Sequence, residues 1–168
     1  MPCDRFHPVD VLIHNADLVA LRAPRSKSVA PHDRRQVVPS YINPASLSPP
    51  RGYNHGVTYH AGSSALFVAG QIGCDREGRI LSDRFEDQFD LALANVLAVV
   101  TEAGGTPASL GKLTIFVVDC AEYVAARKVI GERYRRRMGS HYPAMTLVEV
   151  HALLEPGARV EIEGIAWL

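Results

Sequence analysis

Two short runs with strand-type residues, GVTYH (residues 56–60) and ALFVAGQI (65–72), flank the turn-type stretch AGSS, which predicts a β-hairpin. A polar loop, CDREGRI, follows with Gly78 inside it. Phe85, Phe89, Ala92, Leu93, Val96, Leu97 and Val100 then recur three and four apart, the signature of a helix with one buried face. Asp83 and Glu86 have capping-box spacing at its start, and Gly104-Gly105 end it. KLTIFVVD (112–119) is the strongest strand signal in the chain. A second helix is expected from Glu122 to Met138, with Tyr123, Ala126, Val129, Ile130 and Tyr134 on one stripe. Two closing strands, TLVEVHALL and RVEIEGIAWL, are joined through Glu155-Pro156-Gly157. The order β-β-α-β-α-β-β predicts an α+β domain, a sheet with two helices on one face.

The strand KLTIFVVD has Leu113, Ile115 and Val117 on one parity and Phe116 and Val118 on the other. A strand apolar on both faces needs cover on both. Two helices cover one face, so the other is expected to meet another copy of the chain. The alternative cover is the segment before the domain, which has little apolar content.

That segment differs in composition. Eight of the 11 prolines fall within residues 1–50. Val9, Leu12, Ile13, Ala16, Val19 and Ala20 suit a short amphipathic helix, and LRAPRSKSVAPHDRRQVVPS reads as an extended, solvated linker. Residues 1–40 are therefore read as an N-terminal extension and 41–168 as the domain. Asp10, His14 and Asp17 interrupt the early apolar run and no basic region precedes it, so no secretory signal is expected.

Lys+Arg and Asp+Glu balance at 18 each, so no global field draws nucleic acid or an anionic membrane. No apolar run approaches membrane-spanning length. Cys3, Cys74 and Cys120 are an odd set without C-x-x-C spacing and read as free thiols in a reducing compartment, with the cytoplasm as the expected location. His55 and His60 would face opposite ways in a strand, and His141 and His151 lack a convergent third ligand; no metal site is expected. GERYRRRMG packs four arginines at the end of the second helix. They suit a helix C-terminus, and this solvated reading is preferred to an RNA surface.

The motifs FVAGQIG, FEDQFDLALANVLAVVTEAGG, KLTIFVVD and YPAMTLVEVHALLEPGARVEIEGIA occur in the order and spacing of the RidA/YjgF family, which the chain resembles over about residues 50–167. The resemblance implies a chorismate-mutase-like fold, a homotrimer around a central β-barrel, and small-molecule pockets between subunits. It also implies hydrolysis of reactive 2-imino and 2-enamino acids without metal or organic cofactor. Other members are described as endoribonucleases or as binders of small ligands.

In deaminating members the resemblance assigns substrate carboxylate binding to an arginine in a Pro-Ala-Arg motif and water activation to a glutamate of the last strand. Here the first motif reads YPAMT, so Met145 stands at the arginine position, while Glu163 is read as the retained acid. A thioether donates no hydrogen bond, whereas a guanidinium grips a carboxylate with two. Leu147 shares the side of Met145 by strand parity. Tyr53 is kept in RGYNHGV while His55 replaces a glutamine; Ala69 replaces a serine and Gln71 remains. Arg127 falls where deaminating members often carry asparagine, and Arg127 or Arg51 would be the relocated cation if there is one. The candidate site is thus Glu163 as acid/base with Tyr53, His55, Gln71, Arg127, Met145 and Leu147 around the ligand. Four have a plainer reading: Glu163 as an interface ion-pair partner, Tyr53 as a cleft closure, and His55 and Arg127 as solvated side chains. Three functions follow in order: a hydrolase of C=N bonds acting on something other than simple 2-imino acids, a non-catalytic ligand binder, and an endoribonuclease.

Overall fold

The structure, a computed structural model, describes residues 39–44, 53–59 and 63–168. The amphipathic stretch at 9–20, Arg51 and His60 lie outside the described residues. Strands β1 (Ser40–Ile42) and β2 (Gly56–Thr58) form a two-stranded antiparallel ribbon. The other elements are β3 (Ala65–Ile72), α1 (Phe85–Glu102), a short 3₁₀ turn (Pro107–Ser109), β4 (Leu110–Val117), α2 (Cys120–Met138), β5 (Ala144–Glu149) and β6 (Val160–Trp167). The main sheet has the order β3-β6-β4-β5. Both β6 pairings are antiparallel, and β4 and β5 run parallel with α2 as the crossover between them.

The expected class, two helices on a mixed sheet, is what forms. The expected β2–β3 hairpin is not: β2 pairs with β1, through Tyr41 opposite Val57, and takes no place in the main sheet. A two-residue or three-residue turn makes a hairpin reliably, and AGSS carries no such turn dipeptide. β1 straddles the expected domain boundary at residue 40. The closing strands are separated as well, because β6 inserts between β3 and β4.

Helix α1 begins one residue later than its sequence pattern suggests. Asp83 and Glu86 form no capping box; Arg84 is the N-cap residue with no side-chain cap, and the Arg84 N–H donates to Ser82 Oγ instead. Ser82 in turn donates to Asp87 at 2.8 Å. The helix ends as expected, with Gly104 at φ +88°. α2 starts at Cys120, two residues before the expected position, because Asp119 accepts the Ala121 N–H at 2.6 Å and caps the first turn.

The core lies between the sheet and the helices. Phe89, Leu93, Val96 and Val100 of α1 and Ile130, Tyr134 and Met138 of α2 cover Val68, Leu113, Ile115, Val117 and Ile162. Each such aliphatic side chain contributes about 1.5–3 kcal/mol on burial. Gln88 is 1% exposed but fully bonded: it donates to the Ser82 and Gly157 carbonyls and accepts from Arg159 N–H. It thereby ties α1 to the loop preceding β6.

The four arginines of α2 divide. Arg137 holds Asp90 of α1 with two bonds of 2.6 Å, and Arg133 holds Asp87 at 2.7 Å. Arg135 and Arg136 remain at the surface beside Glu132. Arg137→Gln is therefore expected to cost about 1 kcal/mol, the upper range for a half-exposed bidentate pair, and Arg136→Gln close to nothing. Urea titration of the two variants checks this.

Candidate functional site

The alternation along β4 sets the two faces of the sheet. Leu113, Ile115 and Val117 face the helices and are buried, whereas Lys112, Thr114 and Phe116 are half-buried on the helix-free side. That second face is less uniformly apolar than Phe116 and Val118 alone suggested. Phe67 of β3 stands on it, 75% exposed.

Two local irregularities shape this face. Between Leu110 and Lys112 the β4–β6 register shifts by one residue, so β4 carries a bulge at Gly111. Without it Leu110 and Lys112 would share a side; with it, Leu110 enters the core and Lys112 turns to the open face. Gly111 has no room for a side chain, since a Cβ there would lie 2.7 Å from the Trp167 ring and 2.8 Å from that of Tyr59. Those rings stack at 4.9 Å. The second shift lies in β3 between Val68 and Gln71. Here Gly70 lies directly under the Glu161 carboxyl group.

A hollow of about 460 Å³ opens on the helix-free face, lined by Phe67, Ala69, Lys112, Thr114, Glu163 and Ile165 among others. Glu163 pairs in register with Thr114 and is exposed. Its charge acts on Lys112, whose ammonium donates to Thr146 Oγ1 of β5. Partial burial nonetheless lowers the Lys112 pKa from its ordinary value. Lys112 was missed by sequence reasoning. The parity of KLTIFVVD holds the signal for Lys112, and the bulge at Gly111 breaks that parity at Leu110.

The remaining candidates lie elsewhere. Met145 pairs with Leu113 and Leu147 with Ile115 in the parallel ladder. Both therefore project to the helix side, where they pack against the core. Met145 and Glu163 thus leave opposite faces of the sheet within one protomer. Tyr53 and His55 meet edge to face at 5.3 Å. Asn54 between them anchors this segment just ahead of Met145: its N–H donates to Pro143 O at 3.2 Å and its side-chain amide donates to Tyr142 O. Asn43 extends the same network, donating to Asn54 and accepting the His55 N–H. Gln71 folds its amide back on the Ala69 and Gly70 carbonyls. Arg127 is exposed on α2, where its charge acts on Tyr123. The structure therefore assembles the candidates in two places: Tyr53, His55 and Met145 around the start of β5, and Glu163 with Lys112 on the open face.

No group of three or more potential metal ligands occurs among the described residues. No helix among them is long and apolar enough to cross a membrane. Cys74 and Cys120 are free thiols. Burial and the adjoining Glu149 carboxylate push the Cys120 thiol pKa up, away from a reactive thiolate.

Known proteins share this arrangement of elements. TdcF of Escherichia coli K12 is 32% identical over 136 residues, covering 79% of this chain and 96% of its own. Reactive Intermediate Deaminase A of Arabidopsis thaliana is 29% identical over 136 residues, covering 80% of this chain and 67% of its own. Among solved structures, the Rid-family protein YyfB of Yersinia pestis superimposes with a TM-score of 0.67 at 32% identity, covering 77% of this chain and 98% of its own. E. coli TdcF with bound serine gives 0.55 at 30%, covering 79% and 98%. The profile of the family described as endoribonuclease L-PSP matches residues 44–168, three quarters of the sequence and every element from β2 onward. The chain belongs to this family, the RidA/YjgF family of reactive intermediate deaminases and their relatives.

Proposed function

We propose that the protein is a RidA-type hydrolase of C=N bonds whose substrate is a small, largely apolar imine or enamine without a carboxylate at its anchored end. One observation carries the reading. The side chain at position 145, beside the anchored Tyr53–His55 segment, is a thioether in contact with the core, at the position where the family resemblance assigns a guanidinium to deaminating members. An apolar wall selects an apolar substrate body, and an uncharged imine has no need of the missing clamp.

The reaction adds water across the C=N bond to give a carbinolamine, which collapses to the carbonyl compound and ammonia. One group must take a proton from water as its oxygen bonds to carbon, and then return it to the leaving nitrogen. Glu163 is the candidate for this transfer, with the Lys112 ammonium, on which its charge acts, beside it. Because Met145 and Glu163 lie on opposite sheet faces, the same reading places the complete site in a cleft between copies of a homotrimer. This also provides cover for Phe67 and the rest of the open face. No metal or organic cofactor takes part in the proposed chemistry.

That same separation of Met145 from Glu163 favours a second reading, a trimer that binds a ligand at the start of β5 and does not hydrolyse it. The endoribonuclease reading has less support, because Arg133 and Arg137 are committed to Asp87 and Asp90.

The test generates imines in situ: an amine oxidase acting on benzylamine gives an uncharged imine, and an amino-acid oxidase acting on alanine gives 2-iminopropanoate. Semicarbazide competes for each. The protein is expected to slow the initial formation of semicarbazone from the imine, by hydrolysing the imine before it is trapped, more effectively with the first substrate. Turnover of 2-iminopropanoate at the rate of the Arabidopsis deaminase would overturn the reading. Full activity in Glu163→Gln would remove Glu163 from the chemistry, and no turnover of either imine would favour the binder.

A further inference from the structure

His141 is a buried histidine that the proposed chemistry does not use, 6% exposed in the loop between α2 and β5. Its ring bridges two elements. Nε2 lies 2.6 Å from the Leu110 carbonyl at the start of β4, and Nδ1 lies 2.5 Å from the Tyr41 hydroxyl of β1. A carbonyl only accepts, so Nε2 carries the hydrogen. Nδ1 is then the acceptor, and the Tyr41 O–H donates to it. The next two residues continue the docking rail, since the Tyr142 and Pro143 carbonyls receive the two bonds from Asn54. Met145 follows two residues later. Three consecutive residues, His141-Tyr142-Pro143, therefore hold both ends of the described ribbon region: Tyr41 on β1, and the Tyr53–His55 segment that leads into β2.

We propose that His141 is a positioning residue for the ligand site, docking the β1–β2 ribbon through Tyr41 and so placing Tyr53 and His55 against the start of β5. This rests on the reading of Tyr53 and His55 as ligand contacts. The titratable groups around the imidazole are Tyr41 from β1, Tyr134 from α2, whose hydroxyl donates to the His141 carbonyl at 3.3 Å, and Tyr142 from its own loop, stacked on Tyr134 at 5.1 Å. The Leu110 carbonyl completes the surroundings from β4. Three neutral phenols offer a cation little compensation, so a proton on Nδ1 both loads a buried charge and takes the acceptor away from Tyr41. Burial accordingly holds the imidazole below its ordinary value of 6.5. Docking is complete while the ring is neutral and weakens as acid protonates it.

The chain has a built-in reporter for docking. Tyr59, the residue after β2, stacks on Trp167, the single tryptophan, and donates to Ala108 O at 2.9 Å. The test uses the full chain and two variants, Tyr41→Phe and His141→Gln. It reads acrylamide quenching of Trp167, hydrogen exchange of the β1 and β2 amides, and KM against kcat with the imine released from benzylamine. Tyr41→Phe is expected to keep its circular dichroism, quench more readily, exchange its ribbon amides at least tenfold faster and raise KM severalfold with kcat nearly unchanged. In wild type, quenching is expected to rise as pH falls below about 6.5, where an undocked imidazole takes up a proton that the docked one resists. In His141→Gln, which keeps a donor for Leu110 but does not titrate, it should stay flat.

Unchanged ribbon exchange and Trp167 accessibility in a folded Tyr41→Phe protein would overturn the proposal whatever the activity. So would an unaltered pH profile in His141→Gln. Faster ribbon exchange with KM unchanged would support docking by His141 and instead sink the assignment of Tyr53 and His55 to the ligand. Failure of the hydrolase reading leaves the quenching and exchange results fully informative.

Discussion

Met145→Arg is expected to raise kcat/KM for 2-iminopropanoate by roughly thirty-fold to several-thousand-fold over wild type, the equivalent of about 2–5 kcal/mol for a charge-assisted clamp on a carboxylate. The guanidinium would supply two parallel donors where the thioether supplies none. The substitution carries a structural cost, because Met145 packs against the core beside Leu113. Met145 is only partly buried and stands on β5, one of the two edge strands of the sheet, so a long side chain has room to bring its head group outward. About 1–2 kcal/mol of lost stability is expected from the packing change. Activity against the uncharged imine should fall in the same variant, since a cation has been placed against its apolar body. The assay with both in-situ substrates reads the exchange directly. A folded variant with no gain on 2-iminopropanoate would mean that the side chain at 145 does not meet the substrate, and the altered-specificity reading would fail.

The class of fold was legible in the chain because its strongest signals are periodic over long stretches. The α1 stripe from Phe85 to Val100 and the alternation of KLTIFVVD both appear where the pattern puts them. What failed was pairing. GVTYH and ALFVAGQI are adjacent in sequence and each is strand-like, yet Tyr41 and Val57 pair across the first of them, and Ala65 to Ile72 pairs with β6. Alternation tells which residues share a face; it carries no information about which strand lies alongside. The capping signal failed for a related reason. Asp83 and Glu86 have suitable spacing, but the Glu86 carboxylate accepts from the Arg84 guanidinium, while Ser82 accepts the Arg84 N–H and donates to Asp87.

The candidate site was legible residue by residue and not as a constellation. Parity along β5 put Met145 and Leu147 on one side correctly, and Glu163 was singled out on β6 by itself. Nothing in either strand relates one side to the other, because that depends on the parallel β4–β5 register and the antiparallel β4–β6 register together. The ladder places Met145 opposite Leu113 and Glu163 opposite Thr114, neighbours of opposite parity. The side taken by Leu110 was obscured by the bulge at Gly111, where the rings of Tyr59 and Trp167 leave no room for a side chain. Such features come from tertiary contacts, and a strand's own pattern does not encode them.

Gly73→Ala should be the most damaging single-methyl substitution among the described glycines outside the ligand face. Gly73 follows β3 directly and passes beneath α1, where an added Cβ would stand 2.5 Å from Gln88 Cα and 2.6 Å from its carbonyl oxygen. Both are backbone atoms, so no rotamer change relieves the overlap; the helix or the strand end must move. Ordinary overpacking costs about 1–3 kcal/mol, and a clash against rigid backbone belongs at or above the upper end. Moving α1 at Gln88 also disturbs the three hydrogen bonds by which that side chain fastens Ser82, Gly157 and Arg159. Each buried group left unpaired adds roughly 1–3 kcal/mol. Gly78→Ala is the control. Gly78 has φ +78° but open space around its Cα, so its cost is the left-handed conformation alone, about 1–2 kcal/mol. Thermal denaturation is expected to place Gly73→Ala about 10 °C or more below wild type and well below Gly78→Ala. Equal melting temperatures for the two variants would show that α1 has freedom to lift from the end of β3, and the close seating of Gln88 on Gly73 would lose its role in fastening the helix to the sheet.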